Sequence, residues 1–264
     1  MSKLLAYLGT FLSLLLYFSG SILCQTSYDP WLIKAENYDP DPYFGITVAN
    51  GMIGLVSSPE PMESSSVVLN GIYDNYQRGR VSNILQVFDP TSIKLMADGQ
   101  SLSRSSMDRY SQSLDMKAAK LITEFSYKGI LQCKQELMAL RHLPHTALAI
   151  VTIEAQKDVR VDALSLIKAP DHLRDVRNYF ATIERPHVTI PLLTSVGKSP
   201  TGVHTVAASN SFIFSEGHKE QPEVIHIDWD FNRHWMQFHK ELKAGETYTF
   251  AVVSSISSSE HNAD

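Results

Sequence analysis

Cysteine is nearly absent: the 264 residues hold only Cys24 and Cys133. Cys24 lies in an N-terminal stretch that reads as a removable leader. The mature chain then keeps one thiol, which cannot form an internal disulfide. Cys133 sits in the strand-like run "ILQCKQEL" and is expected to be a small core residue, because the sequence sets no cationic group against its sulfur. Long helical periodicity is missing too, and Asp171–Phe180 is the best short helix. No G-x-G-x-x-G or P-loop pattern follows a strand-like run, so a nucleotide fold has no support. Neither G-x-S-x-G nor H-E-x-x-H occurs, and no fixed-period repeat is evident. The formal charge is −5 with the signs interspersed. Without a dense Lys/Arg stripe, no nucleic-acid partner is expected. Nothing in the pattern calls for a cofactor or a metal.

What is present begins with "LLAYLGTFLSLLLYFSGSILC" after Met1-Ser2-Lys3, uncharged up to Asp29. One positive residue, a Leu-rich stretch and then small residues fit a secretory signal over residues 1–24. The run is about as long as a membrane span, so an uncleaved anchor is its rival. Gly9, Thr10, Ser13, Ser19, Gly20 and Ser21 dilute it and favour the cleaved reading. Leu23 is bulky where a lipid-attachment signal before Cys24 usually carries a small residue. The expected location is therefore exported, periplasmic or secreted.

Apolar residues make up 44% of the chain, enough for a sizeable core. From Phe44 to Ile256 they fall in short runs broken by turn residues. Strand candidates are 52–56, 66–73, 92–96, 121–127, 130–140, 146–154, 159–167, 187–193, 203–207, 211–215, 224–231, 235–240 and 247–254. A dozen short strands at this spacing predict an all-β, antiparallel sandwich or barrel. At Lys128-Gly129 a two-residue loop would pair Phe125 with Gln132, whereas a three-residue loop would shift the faces. Both remain open from sequence.

The sharpest cluster lies in "EVIHIDWDFNRHWMQFHKEL". If Asn232-Arg233 is a two-residue loop, Ile225, Ile227, Trp229 and Phe231 face His234, Met236 and Phe238. The opposite face then collects His226, Asp228, Asp230, Trp235, Gln237 and His239. A ring beside carboxylates and amides can hold a sugar, and two His with two Asp could suit a metal. A solvated or covered strand face is the ordinary state of such alternation. Asp228 and Asp230 would lie about 7 Å apart from strand rise. That falls within the roughly 6.5–9.5 Å of inverting glycosidases, but any D-x-D strand has this spacing, and surface carboxylates are the expectation. "RHLPH" (Arg141 to His145) reads as a turn.

Two Asn-Gly pairs, Asn50-Gly51 and Asn70-Gly71, open short apolar runs and punctuate strands. The second leads into "NGIYDNYQRGR", where Asn70, Tyr73, Asp74, Arg78 and Arg80 crowd into one loop candidate. Its composition suits either a plain surface loop or a ligand contact.

Taken with "NGMIGL", "LNGIYD", "SLDMKAAKLITEFSYKG", "RHLPHTALAIVTIEA" and "FHKELKAGETYTFAVVSSIS", the chain resembles the N-terminal domain of glycoside hydrolase family 65 from about Tyr38 to Ile256. That family contains maltose, trehalose and kojibiose phosphorylases and acid trehalases. The resemblance implies a large antiparallel β-sandwich of the galactose-mutarotase-like kind over residues 25–255, with 256–264 beginning a linker towards an (α/α)6 barrel. In the family that barrel carries the catalytic glutamate, so no catalytic residue is carried over to this chain. The chain is expected to be inactive alone, with an α-glucoside as the carbohydrate partner of the whole enzyme and a homodimer as a possible state. The resemblance adds weight to Asn70, Tyr73, Asp74, Arg78 and Arg80 as residues shaping a sugar pocket; Asp228 and Trp235 stand as further candidate sugar contacts from the strand-face cluster alone. The rival functions are a stand-alone carbohydrate-binding module and a structural interaction domain.

Overall fold

The computed structural model describes residues 29–36, 41, 43–76, 79, 81–217, 219–230 and 233–261, with the backbone alone at 228–230 and 233. The expected leader lies outside the described residues. Trp31–Asp264 form one compact unit, and among the described residues no helix is long and apolar enough to cross a membrane.

In chain order the strands are β1 (Leu32–Glu36), β2 (Thr47–Ala49), β3 (Ile53–Ser57), β4 (Ser64–Asn75), β5 (Ser82–Gln86) and β6 (Ile93–Ala97). Next come β7 (Gln100–Ser101), β8 (Arg109–Asp115), β9 (Lys120–Tyr127), β10 (Leu131–Ala139), β11 (Thr146–Ala155) and β12 (Val159–Lys168). The last six are β13 (Arg174–Arg185), β14 (Val188–Lys198), β15 (Thr205–Phe214), β16 (Ile225–Asp230), β17 (Arg233–Leu242) and β18 (Thr247–Ser258). They form a nine-stranded sheet (β1-β8-β9-β10-β11-β18-β15-β14-β13), a five-stranded sheet (β16-β17-β12-β6-β7) and a four-stranded sheet (β2-β3-β4-β5). All pairings are antiparallel, as expected. The four-stranded sheet lies over β9, β10 and β18 of the large sheet, and the five-stranded sheet over β14 and β15.

The helix expected at Asp171–Phe180 is a correction: β13 begins there. Val176, Asn178 and Phe180 are half-buried while Arg177 and Tyr179 between them are exposed. That period of two is a strand's, with branched and aromatic side chains suited to it. The hairpin at Lys128-Gly129 takes the three-residue form. Tyr127 faces Leu131 and Phe125 faces Cys133, with Gly129 at φ +60°. Cys133 is buried as expected, and burial pushes its thiol well up.

The core between the layers mixes aliphatic and aromatic side chains, and phenylalanines cluster where the five-stranded sheet meets β15 and β18. There Phe238 packs edge-on against Phe212, Phe214 and Phe250, at centroid distances of 4.9, 5.0 and 5.0 Å. Polar ties cross the same interior. Asn210 Nδ2 donates to Pro90 O, Ser165 Oγ and Leu166 O at 3.0, 3.0 and 3.2 Å, and Ser254 Oγ donates to Pro90 O at 2.8 Å. Buried polar groups are tolerated only when paired in this way.

The outer faces of the nine-stranded and four-stranded sheets differ in chemistry. On the large sheet one cross-strand row reads Glu36, Ser111, Glu124, Lys134, Thr152, Thr249. The next row reads Arg109, Ser126, Gln132, Glu154, Thr247. All of these but Thr249 line a shallow saddle of about 1020 Å³, a charged and solvated surface. On the four-stranded sheet the outward rows are Thr47, Val56, Ser66, then Ala49, Gly54, Val68, Gln86, then Tyr73 with Ile84. None of these nine side chains is charged.

Candidate functional site

The Asn70-Gly71 pair makes no hairpin turn. It forms a bulge inside β4, and the register against β5 shifts between Val68 and Tyr73. Gly71 adopts φ +83°, a conformation that costs little only for glycine. The extra residue inverts the alternation. Before the bulge Val67 and Leu69 point into the core; after it Ile72 and Asp74 do, and Tyr73 turns outward. Gly71→Ala has room for its Cβ, since the nearest atom is His261 Nε2 at 3.6 Å. The cost is backbone strain, about 1–2 kcal/mol. Urea unfolding of that variant measures it, and an unchanged midpoint would show that the bulge does not depend on glycine.

Turned inward, Asp74 is buried. Its carboxylate accepts from Thr201 N and Thr201 Oγ1 (2.9 and 2.7 Å) and from Asn75 N (2.6 Å). Burial pushes the carboxyl up, but donors on Ser199, Thr201 and Asn75 outweigh it and hold the pKa at about 2. Both oxygens are therefore committed to the protein. Asp74 pins the loop of residues 199–204 to β4 and presents no free oxygen to a ligand. His204 completes the tie, with Nε2 2.9 Å from Tyr73 O and Nδ1 3.1 Å from Glu260 Oε1.

The same end of the sandwich gathers the other Asn-Gly pair. Asn50 Oδ1 accepts from Met52 N and Ile53 N, both at 2.9 Å, and its Nδ2 donates to Leu140 O and Pro144 O at 2.8 and 3.0 Å. One side chain thus closes the β2–β3 turn and clamps the "RHLPH" turn. His145 Nδ1 lies 3.0 Å from Ile256 O, and its ring meets His261 edge-on at 5.2 Å. His261 Nδ1 pairs with Ser258 Oγ at 2.7 Å, and its ring lies beside Gly71. Asn70 and Tyr73 are exposed on the same strand. Arg78 and Arg80 lie outside the described residues. Beside the edge strand β5, Tyr76, Ile84, Gln86, Pro170, Asp171 and His172 line a cleft of about 650 Å³.

The expected cluster on 224–239 is not brought together. Ile225 faces Gln237, His226 faces Met236, Ile227 faces Trp235 and Asp228 faces His234. This register differs by three residues from the one a two-residue loop gives, and an odd shift exchanges the faces. The cause is the neighbouring strand. β12 pairs Ser165 with Met236 and Ala163 with Phe238, fixing His234, Met236 and Phe238 inward. His226 joins that side, stacked on Phe180 (4.7 Å, 2°) and edge-on to His234 (4.9 Å). Trp235 lies on the other face, half-buried in a row between Leu166 and Ile227. It is a member of an apolar ladder, separated from the His226 ring by the thickness of the sheet. Of Asp228 the backbone alone is described. Among the described residues no group of three or more His, Cys, Asp or Glu converges as a metal would need.

Among the described residues, the geometry is that of a scaffold holding loops at one end. The family model described as glycosyl hydrolase family 65, N-terminal domain, matches residues 45–264. A kojibiose hydrolase of Flavobacterium johnsoniae is 43% identical over 247 residues, and one of Mucilaginibacter mallensis is 44% identical over 246. Each alignment covers 92% of this chain but 36% of the relative, so the chain spans about a third of their length. A solved structure described as a kojibiose phosphorylase from human microbiome superposes with TM-score 0.71 at 12% identity, over 89% of this chain and 33% of that one. The sandwich is thus a recurring fold, and the chain belongs to glycosyl hydrolase family 65, whose N-terminal domain it carries.

Proposed function

We propose that this chain is the non-catalytic N-terminal sandwich of an exported family-65 enzyme that hydrolyses α-glucosides, kojibiose among them. The observation that carries the reading is the match to two curated kojibiose hydrolases at 43% and 44% identity across a third of their length. The remaining two thirds of such a protein would hold the reacting groups, in keeping with a sandwich whose buried carboxylate at position 74 is spent on its own loop. The Leu-rich N-terminal run supports export. Hydrolysis is favoured over phosphorolysis because both of those relatives are named hydrolases. Asn70 and Tyr73, exposed on either side of Gly71, contribute to the rim of the sugar pocket in the whole enzyme.

The test is the longer polypeptide incubated with kojibiose, with and without inorganic phosphate. Free glucose is expected in both cases at the same rate. Glucose 1-phosphate in the phosphate arm, or no cleavage in either, would overturn the reading. In the same polypeptide Tyr73→Ala is expected to raise KM more than it lowers kcat, as lost positioning does; unchanged kinetics would remove Tyr73 from the pocket.

A further inference from the structure

We infer that the outer face of the four-stranded sheet is the seat of the polypeptide that follows residue 261. The inference rests on the functional reading above, because it needs a following domain. Three observations converge. First, that face carries no charge at any of its strand positions, whereas the solvated face of the nine-stranded sheet alternates Glu124, Lys134, Arg109 and Glu154. Depletion of charge, with an aromatic among small apolar groups, marks the centre of an interface. Here Ala49, Gly54, Val56 and Val68 make a flat floor, and the cross-strand pair Tyr73 and Ile84 stands on it, 48% and 47% exposed.

Second, the face ends in the cleft beside β5, so Ile84 and Gln86 belong at once to the sheet surface and to a concave wall of about 650 Å³. A flat apolar floor with one raised lip can receive a helix or a loop.

Third, the last described residues lie beside this sheet. His261 packs over Gly71, in the strand that carries Tyr73, and His204 ties Glu260 to the Tyr73 carbonyl. About two thirds of each curated relative lies outside the aligned region, a length that has to pack beside the point where His261 stands. The occupant is therefore the same polypeptide rather than a second copy.

Cysteine accessibility in the longer polypeptide tests this. Ile84→Cys and Ala49→Cys probe the floor. Lys134→Cys is the control, because the Lys134 side chain is 46% exposed on the charged sheet, close to the value for Ile84. Labelling by a maleimide, read by peptide mass mapping, is expected to be roughly tenfold or more slower at positions 84 and 49 than at 134. Equal rates would overturn the proposal, and so would protection at 84 that vanishes on dilution, which would assign the face to a second copy. A polypeptide that releases glucose yet labels equally at all three positions sinks the seat and leaves the functional reading standing. One that shows protection without glucoside cleavage does the reverse.

Discussion

Asp74→Asn is expected to lower folding stability by about 2 kcal/mol at neutral pH, and to lower it less and less as the solution is acidified. The figure follows from a carboxyl held at about 2 against an ordinary 3.8, at about 1.4 kcal/mol per pH unit. The sign is fixed by the direction of the shift. A carboxyl whose pKa is depressed on folding adds stability above its ordinary value and loses that contribution as pH falls from about 4 towards about 2. The amide variant also turns an N–H donor towards Thr201, which already donates from N and Oγ1. Urea midpoints at pH 7 and pH 3 measure both parts. A gap of the same size at the two pH values would show that the carboxylate charge does not hold the loop. The loop of residues 199–204 is expected to open first, since the ties of Asp74 and His204 fasten it to β4.

The second large effect is expected at Phe238. Its ring meets three other phenylalanines edge-on and is 2% exposed. Phe238→Ala removes a buried aromatic at the junction of two sheets, and such truncations cost about 3–5 kcal/mol because the surroundings collapse only in part. The cost here is expected at the upper end. β17 is fixed on one side by ten register pairs to β12, so the backbone cannot move in to fill the space. Phe238→Leu is expected to recover most of the loss. A calorimetric scan of the two variants decides it: a loss in Phe238→Ala below about 1 kcal/mol would mean the aromatic cluster is not a unit.

Much of this architecture could be read in the chain. Val-, Ile- and Thr-rich runs with Gly-marked turns predicted antiparallel strands, and the motif series from Asn50 to Ser257 predicted the family. The strands that escaped notice are those whose alternation is weak. Arg109–Asp115 and Ser82–Gln86 carry mostly hydroxyls, amides and charges, because one lies near a sheet edge and the other is an edge. Ser199 to His204 and Asp74 lie far apart in sequence, so no local pattern announces their contact. The faces of 225–239 were beyond sequence reasoning for a different cause. A hairpin's register can be set by its third neighbour, here β12, instead of by its own turn. The bulge at Gly71 had a visible signal, Asn-Gly, but that pair suits a turn equally well. Only the inward positions of Ile72 and Asp74 show which of the two was formed.

In the reading proposed above, the reacting groups of the enzyme lie outside the sandwich that the described residues form. The direct measurement is glucose release from kojibiose by the purified chain, set beside the longer polypeptide under identical conditions. Release is expected from the longer polypeptide alone, with the short chain at the level of the blank and Tyr73→Ala in it making no difference. Sustained release by the short chain, lost on substituting one of its own carboxylates, would contradict it.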